Sequence, residues 1–159
     1  MEIRKAKLKD IPQIVNFAVK LIKYHANFDP FYTPAKNVEE VYSKFFKRCV
    51  YSTNRFLLVA EKNSKIVGYA LGELGRRPPV FQLRKIGLIS DVFVDEGVRK
   101  KGIAKLFLAK LFDWFRSKKL NHVELSVHVK NEMGQKAWLK CGFKSYMSKQ
   151  RLVIKSAGG

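Results

Sequence analysis

A group of basic residues around one glycine is the part of this sequence whose spacing could do chemistry. An apolar run from Ile86 to Val94 ends shortly before it, and a helical pattern starts at Gly102. The first turn of a helix presents backbone N–H groups without partners in the helix, and such groups bind phosphate well. Gly102 allows close approach because it has no side chain. We predict a pyrophosphate-bearing ligand here, surrounded by the cationic side chains of Arg99, Lys100, Lys101 and Lys105.

Two better-known phosphate-binding motifs are absent from the sequence. It contains no Gly-Lys-Ser/Thr loop, and it lacks the three-glycine fingerprint of dinucleotide-binding folds. The motif Arg-x-x-Gly-x-Ala is weak by itself. A helix that merely begins beside a chance group of basic residues is therefore the alternative interpretation.

The composition narrows the class of protein. The 159 residues suit one domain, and no apolar run approaches the roughly 20 residues that span a bilayer. The N-terminus lacks the features of a signal peptide, so we expect a soluble, cytoplasmic protein. Cys49 and Cys141 stand far apart without companion thiols, which favours packing roles and predicts neither a disulfide framework nor a metal site.

The strongest compositional signal is charge. The sequence has 32 Lys and Arg against 13 Asp and Glu, a formal net charge of +19. Such a protein attracts anions, whether a phosphorylated cofactor, an acidic protein or nucleic acid. No acidic residue follows Glu132, while basic residues continue as far as Lys155. For the scattered lysines, the alternative is a surface that only keeps the protein soluble.

Hydrophobic periodicity predicts an α/β fold in which a mixed, mostly antiparallel central sheet is flanked by helices. Asp10 is expected to cap the first helix, and Asn63-Ser64 to form a tight turn between two strands. The whole forms a single domain over residues 1–155, followed by a flexible tail at 156–159. The predicted strands cover residues 2–7, 55–61, 65–73, 86–94, 122–129 and 142–154, and the predicted helices cover 11–25, 37–51, 102–118 and 132–141.

Four separate segments follow one another in the order of a known family. They are Val59-Ala60-Glu61 with Ile66-Val67-Gly68-Tyr69, then Ile89 to Asp95, then Arg99 to Ala104, then Leu125-x-Val127-x-x-x-Asn131 with Ala137 to Phe143. The third segment is similar to a Gln/Arg-x-x-Gly-x-Gly/Ala motif. Together they cover almost the whole chain, and they resemble the GNAT superfamily of acyl-CoA N-acyltransferases.

The resemblance implies an acetyl-CoA site where strand 86–94 and strand 122–129 splay apart. Backbone groups of Val92 and Val94 would pair with the pantetheine arm, and the amide of Phe93 or Val94 would stabilise the oxyanion. Asn131 would bind the cofactor, but it is equally suited to cap the helix that follows it. The cofactor-binding residues expected on this basis are Val92, Phe93, Val94, Arg99, Lys100, Lys101, Gly102, Ile103, Ala104, Lys105, Asn131 and Trp138.

The general acid is open, because this chain departs from the family pattern. Many members carry a Tyr at the position of Trp138, where it protonates the departing thiolate. The indole N–H of Trp138 is no acid, although a thiolate is a good leaving group and water could supply the proton. Tyr146 and Tyr32 are the other candidate donors.

The general base is also open. Polyamine-acetylating members carry a Glu where this chain has Ser90, so that candidate is missing. Asp91, Glu73, Glu124 and His128 remain, with His25 in the region that lines the acceptor side of relatives. Strand alternation predicts that Asp91 lies on the face opposite Ser90, where a buried structural carboxylate is the alternative.

We therefore expect an acetyl-CoA-dependent N-acetyltransferase acting on a primary amine of a small molecule or protein by direct attack on the thioester. The acceptor site is expected from residues 24–36 and 75–85, whose aromatic and basic side chains disfavour polycations. The alternative is a non-catalytic GNAT module that retains acyl-CoA and binds nucleic acid or ribosomes through its basic surface. The sequence leaves a homodimer open.

Overall fold

One sheet organises the fold, and its strands lie side by side in chain order. The computed structural model describes residues 1–157. Strands β1 to β4 pair antiparallel, and β5 pairs parallel with β4. The expected mixed, mostly antiparallel sheet is thereby confirmed. The strands are β1 (Glu2–Lys5), β2 (Arg55–Lys62), β3 (Lys65–Arg76), β4 (Lys85–Val94) and β5 (Val123–Glu124).

Helices cover both faces of this sheet. The helices are α1 (Ile11–Phe28), α2 (Val38–Tyr51), α3 (Ile103–Ser117) and α4 (Glu132–Lys140). Helices α1 and α2 pack on one face, where Phe17 and Phe46 join Tyr69 and Phe93 of the sheet in one core. The apolar side of α3 packs on the other face in a second core. No helix among residues 1–157 is long and apolar enough to cross a membrane.

The turn between β2 and β3 is the one that the sequence predicts. Asn63 and Ser64 both have positive φ, at 50° and 61°. Two successive residues of this conformation form the tight turn whose twist suits antiparallel strands. The turn fixes the register in which β3 returns along β2.

The predicted role of Asp10 as the cap of the first helix is wrong. The Asp10 side chain does not cap α1. It accepts hydrogen bonds from the Lys7 amide and from the Arg4 guanidinium, both at 2.8 Å. Cys49 is buried and Cys141 is half-buried, and both thiols are unpaired.

The C-terminal part of the chain departs most from the predictions. Residues 122–129 form a strand only at Val123–Glu124, and the predicted strand over 142–154 is wrong, since no strand lies there. Leu152 and Ile154 are each 86% exposed. An alternating pattern gives a strand only where another strand offers hydrogen bonds, and here none does. The predicted tail includes Gly158 and Gly159, which lie outside the described residues.

Candidate functional site

A gap beside β4 is the first feature of the site. Strand β5 pairs with β4 only at Gly87 and Leu88, where the Gly87 amide also donates to the His122 carbonyl at 2.8 Å. From Ile89 to Val94, β4 is paired with β3 alone among the described residues. Its other edge presents backbone N–H and C=O groups that an extended ligand can bind as a sheet neighbour would.

The turn after β4 forms a cradle of backbone amides. The N–H groups of residues 100–105 find no acceptor among residues 1–157, and the first bonded amide of α3 is that of Leu106, which donates to Gly102. Lys100 and Gly102 have positive φ, at 63° and 76°. A Cβ atom at Gly102 would meet nothing within 4 Å. Successive amides around an open glycine at a helix N-terminus fit a pyrophosphate group.

The basic side chains of this turn divide into two groups. Arg99 turns back toward the strand, where its Nε donates to the Val94 carbonyl at 2.9 Å and its guanidinium lies 6.0 Å from the Phe93 ring. Lys100, Lys101 and Lys105 are exposed, and each is without an ion pair among the described residues. Arg99 thus stabilises the turn, while the three lysines are available to an anion.

Side chains fix the open edge of β4 from both faces. The Phe93 ring stacks on Phe17 of α1 with centroids 4.8 Å apart, whereas Val92 and Val94 pack into the core beneath α3. The backbone of these three residues is consequently held rigidly between two cores. A rigid edge lowers the entropic cost of ordering a bound ligand.

A β-bulge at Ser90 brings two predicted site residues to one face of the sheet. The cross-strand partners of Leu71 and Gly72 are Asp91 and Ile89, so Ser90 has no partner. Its Oγ donates to Glu73, which shares a face of β3 with Tyr69, and the Tyr69 hydroxyl donates a hydrogen bond to Asp91. The prediction that Asp91 lies opposite Ser90 is wrong, because the extra residue of a bulge breaks the alternation.

Asp91 and Glu73 therefore form a carboxylate pair on the side of α1 and α2. Tyr69 donates to Asp91 Oδ2 at 3.1 Å. Burial raises the pKa of Asp91 to about 6, the hydrogen bond from Tyr69 opposes this rise, and the charge of Glu73 adds to it. Both oxygens of Glu73 are engaged, one by Arg55 Nε at 2.6 Å and the other by Ser90.

His128 lies apart from this pair and is held on both ring nitrogens. Its Nε2 lies 3.2 Å from Asp29 Oδ2, and its Nδ1 accepts from the Lys130 amide at 3.1 Å. Hydrogen bonds from Arg151 and the Phe31 amide lower the pKa of Asp29 to about 2, so Asp29 stays ionised. In its neutral form the ring therefore carries its proton on Nε2, and both of its nitrogens are engaged, so it has no free basic nitrogen.

The two expected cofactor residues near α4 have structural contacts. Asn131 Oδ1 accepts from the Gly134 amide at 2.9 Å, which is the capping role left open by the sequence, and from Tyr24 Oη at 3.4 Å. The half-buried Trp138 ring meets Phe143 edge to face, with centroids 5.8 Å apart. Roles for either residue in cofactor binding remain predictions.

Three residues that hold the candidate site residues in place could not be identified from the sequence. Tyr69, Arg55 and Asp29 were read only as parts of strands and loops, yet they hold Asp91, Glu73 and His128. The opposite charges of Arg55 and Glu73 across the β2–β3 hairpin were the one usable signal. Tyr146, a predicted proton donor, instead donates to Glu124.

Comparison with known families agrees with this geometry. The model of the acetyltransferase (GNAT) family matches residues 21–143. The chain therefore belongs to the GNAT acetyltransferase family, whose members use acetyl-CoA, so the expected cofactor is confirmed. No curated protein sequence is similar enough to be matched.

Solved structures establish the fold independently. The BH1408 protein of Bacillus halodurans, solved as a tetramutant, superposes with a TM-score of 0.86 at 24% identity, over 97% of this chain and 100% of that one. A predicted acetyltransferase of Clostridium acetobutylicum, solved with acetyl-CoA, gives 0.74 at 21% identity over 96% and 95%. An aminoglycoside 6'-N-acetyltransferase of Acinetobacter haemolyticus gives 0.78 at 11% identity over 98% and 99%.

Proposed function

We propose that this protein transfers the acetyl group of acetyl-CoA directly to a primary amine of a small molecule or protein. The observation that carries the proposal is the position of the bulge at Ser90. It lies where β4 parts from β5, beside the open edge of β4 and next to a carboxylate of raised pKa. The strand edge that can bind the cofactor and the carboxylate that can act as a base thus lie within a few residues of each other in β4.

The amide cradle and the open strand edge fit the two ends of the cofactor. The N–H groups of residues 100–105 bind the pyrophosphate, with Lys100, Lys101 and Lys105 around it. Backbone groups of Val92 and Val94 hold the pantetheine arm. The amide of Val94, rather than that of Phe93, which faces Tyr69 of β3, stabilises negative charge on the acetyl oxygen. Acetyl-CoA, when bound, supplies an acetyl group activated as a thioester.

Asp91 is our candidate for the residue that takes the proton from the attacking amine. Two of the other candidates fit this role less well, because His128 has no free basic nitrogen and both oxygens of Glu73 are engaged. Asp91 has one oxygen, Oδ1, without a hydrogen-bond partner among the described residues. A pKa of about 6 is also a better match for a base working near neutral pH than an ordinary carboxylate.

The leaving thiolate takes its proton from water or from Tyr32 in this scheme. Trp138 has no acidic proton, and the Tyr146 hydroxyl is engaged with Glu124, a bond that raises the pKa of Tyr146. Rate enhancement then comes mainly from positioning the amine and the thioester, to which the base adds.

The experiment is to measure free-thiol release from acetyl-CoA with a panel of amines that includes small molecules, peptides and polyamines. We expect release that depends on the amine and is faster than hydrolysis. Tight binding of CoA without turnover of any amine would contradict the proposal and would favour the non-catalytic acyl-CoA-binding module.

A further inference from the structure

The β3–β4 hairpin ends in an unfavourable arrangement of like charges. Arg76 and Lys85 are direct cross-strand partners, and the Arg77 amide donates to the Arg84 carbonyl at 2.8 Å in the next position. Like charges directly opposite each other destabilise a sheet. None of these four side chains forms an ion pair with a carboxylate among residues 1–157.

Exposed apolar side chains accompany these charges at the end of the hairpin. Val80 is 82% exposed and Phe81 is 46% exposed. The Arg77 guanidinium lies 4.3 Å from the centre of the Phe81 ring, and its Nη1 donates to the Leu83 carbonyl at 3.0 Å. Arginines beside exposed aromatic and aliphatic groups are typical of surfaces that bind other polypeptides.

The hairpin lies at the start of β4, at the opposite end of this strand from the amide cradle. Lys85 precedes the Ser90 bulge by five residues of β4, which corresponds to roughly 17 Å of extended strand. Arg77 lies close enough to Tyr146 for its charge to lower the pKa of that hydroxyl, against the larger effect of Glu124. A segment of about five extended residues is therefore long enough to span from the hairpin to the bulge.

We propose that Arg76, Arg84 and Lys85 bind an acidic segment of a polypeptide acceptor whose amine reaches the bulge. This inference rests on the proposed acetyl transfer and narrows its acceptors to acidic peptides or proteins. An anionic segment neutralises the opposed cations, while Val80 and Phe81 contact its apolar side chains. Nucleic acid fits less well, because base stacking needs a free aromatic face and Arg77 covers a face of Phe81.

The substitution Arg76→Glu separates binding from folding. It creates an opposite-charge pair with Lys85, so we expect a higher melting temperature. For a peptide with a free N-terminal amine and acidic residues at positions 3–6, we expect KM to rise about tenfold, with kcat changed less than about twofold. A peptide of the same length with Gln at these positions should show no change in KM. Lys110→Glu, the same charge change on the exposed side of α3, is the matched control and should leave both peptides unaffected.

Several outcomes would overturn the hairpin proposal. One is that wild-type protein acetylates the acidic and the Gln peptides with equal KM; another is that Arg76→Glu and Lys110→Glu weaken the acidic peptide equally. Displacement of the acidic peptide by single-stranded DNA at lower concentration than by free peptide would point to nucleic acid instead. If no amine is acetylated by the wild type, the proposed function itself fails, which is a different result from acetylation without a preference for acidic peptides.

Discussion

Asp91 occupies an environment that disfavours its own charge. Tyr69 and Glu73 of β3 face it, and Tyr42 and Cys49 lie on the α2 side, where burial raises their pKa values and the charge of Asp91 adds a smaller rise. Because the pKa of Asp91 is raised by folding, the folded state binds the proton more tightly than the unfolded state between pH 3.8 and about 6. Ionisation of Asp91 therefore removes stability as pH rises through this window, and the whole penalty is present at neutral pH.

We expect Asp91→Asn to stabilise the protein while it abolishes most activity. The amide keeps the shape and the bond to Tyr69 without a buried charge, so the free energy of unfolding at pH 7 should rise by roughly 1 to 3 kcal/mol. If Asp91 is the base, kcat should fall about 100-fold. Thermal unfolding, kinetics and the Kd for acetyl-CoA, which should change little, provide the measurements.

A second variant distinguishes a base from a merely structural carboxylate. Tyr69→Phe removes the hydrogen bond that lowers the pKa of Asp91, so the acid limb of the kcat profile should move to higher pH. Tyr42→Phe removes a neighbouring hydroxyl that makes no bond to Asp91 and serves as the control. An acid limb at the same pH in all three proteins would contradict the assignment of Asp91 as the base.

The turn between β4 and α3 is proposed to bind the pyrophosphate through its backbone amides. Its basic side chains are exposed or folded back, whereas its amides are left without partners over residues 100–105. This explains why the residue type matters most at Gly102, which combines positive φ with open space. Substitutions there test the cradle more directly than loss of a lysine would.

Gly102→Glu should abolish CoA binding, because it places bulk and negative charge against the pyrophosphate. Gly102→Ala should weaken binding less and cost roughly 1 kcal/mol in stability from the strained φ. Gly97→Ala lies in the same turn with open space and no positive φ, so both binding and stability should be nearly unchanged. Calorimetric titration with CoA measures the affinities. Unchanged affinity in Gly102→Glu would mean that the phosphate site lies elsewhere.

The elements differ in how far the sequence could predict them. Helices α2 and α3 and strands β2 and β4 are readable from local periodicity, and the amide cradle from one glycine in a basic turn. The bulge at Ser90 is not, because β4 reads as a continuous apolar run whose register depends on β3. The last strand failed for a related reason: a segment can have strand propensity without any strand beside it.

At the scale of the whole molecule, the Asp29 side chain connects segments that are distant in the sequence through hydrogen bonds. It lies at the end of α1, bonds His128 after β5 and accepts from Arg151 Nη1 at 2.9 Å. The Arg151 guanidinium also lies 3.9 Å from the centre of the Phe31 ring. These contacts join residues 99 and 122 positions apart, and no local pattern in the sequence could have indicated them.

Arg151→Ala should release the C-terminal segment without unfolding the domain. The segment has no helix or strand of its own up to residue 157, so its order depends on such side-chain contacts. We expect trypsin to cleave after Lys149 several times faster, with a nearly unchanged melting temperature. Lys155→Ala, near the end of the described chain, should leave cleavage at Lys149 as it is. Equal cleavage rates in wild type and Arg151→Ala would contradict this role.

The unpaired residue at position 90 could be removed without changing the face on which Asp91 lies. Ile89 and Asp91 already stand opposite the neighbouring residues Gly72 and Leu71. A chain shortened by this one residue would therefore form a regular ladder that keeps Asp91 beside Tyr69 and Val92 to Val94 in phase, and it would lose the hydrogen bond from Ser90 to Glu73. A homologue without the extra residue can thus retain both the carboxylate and the strand edge, whatever its overall identity to this chain.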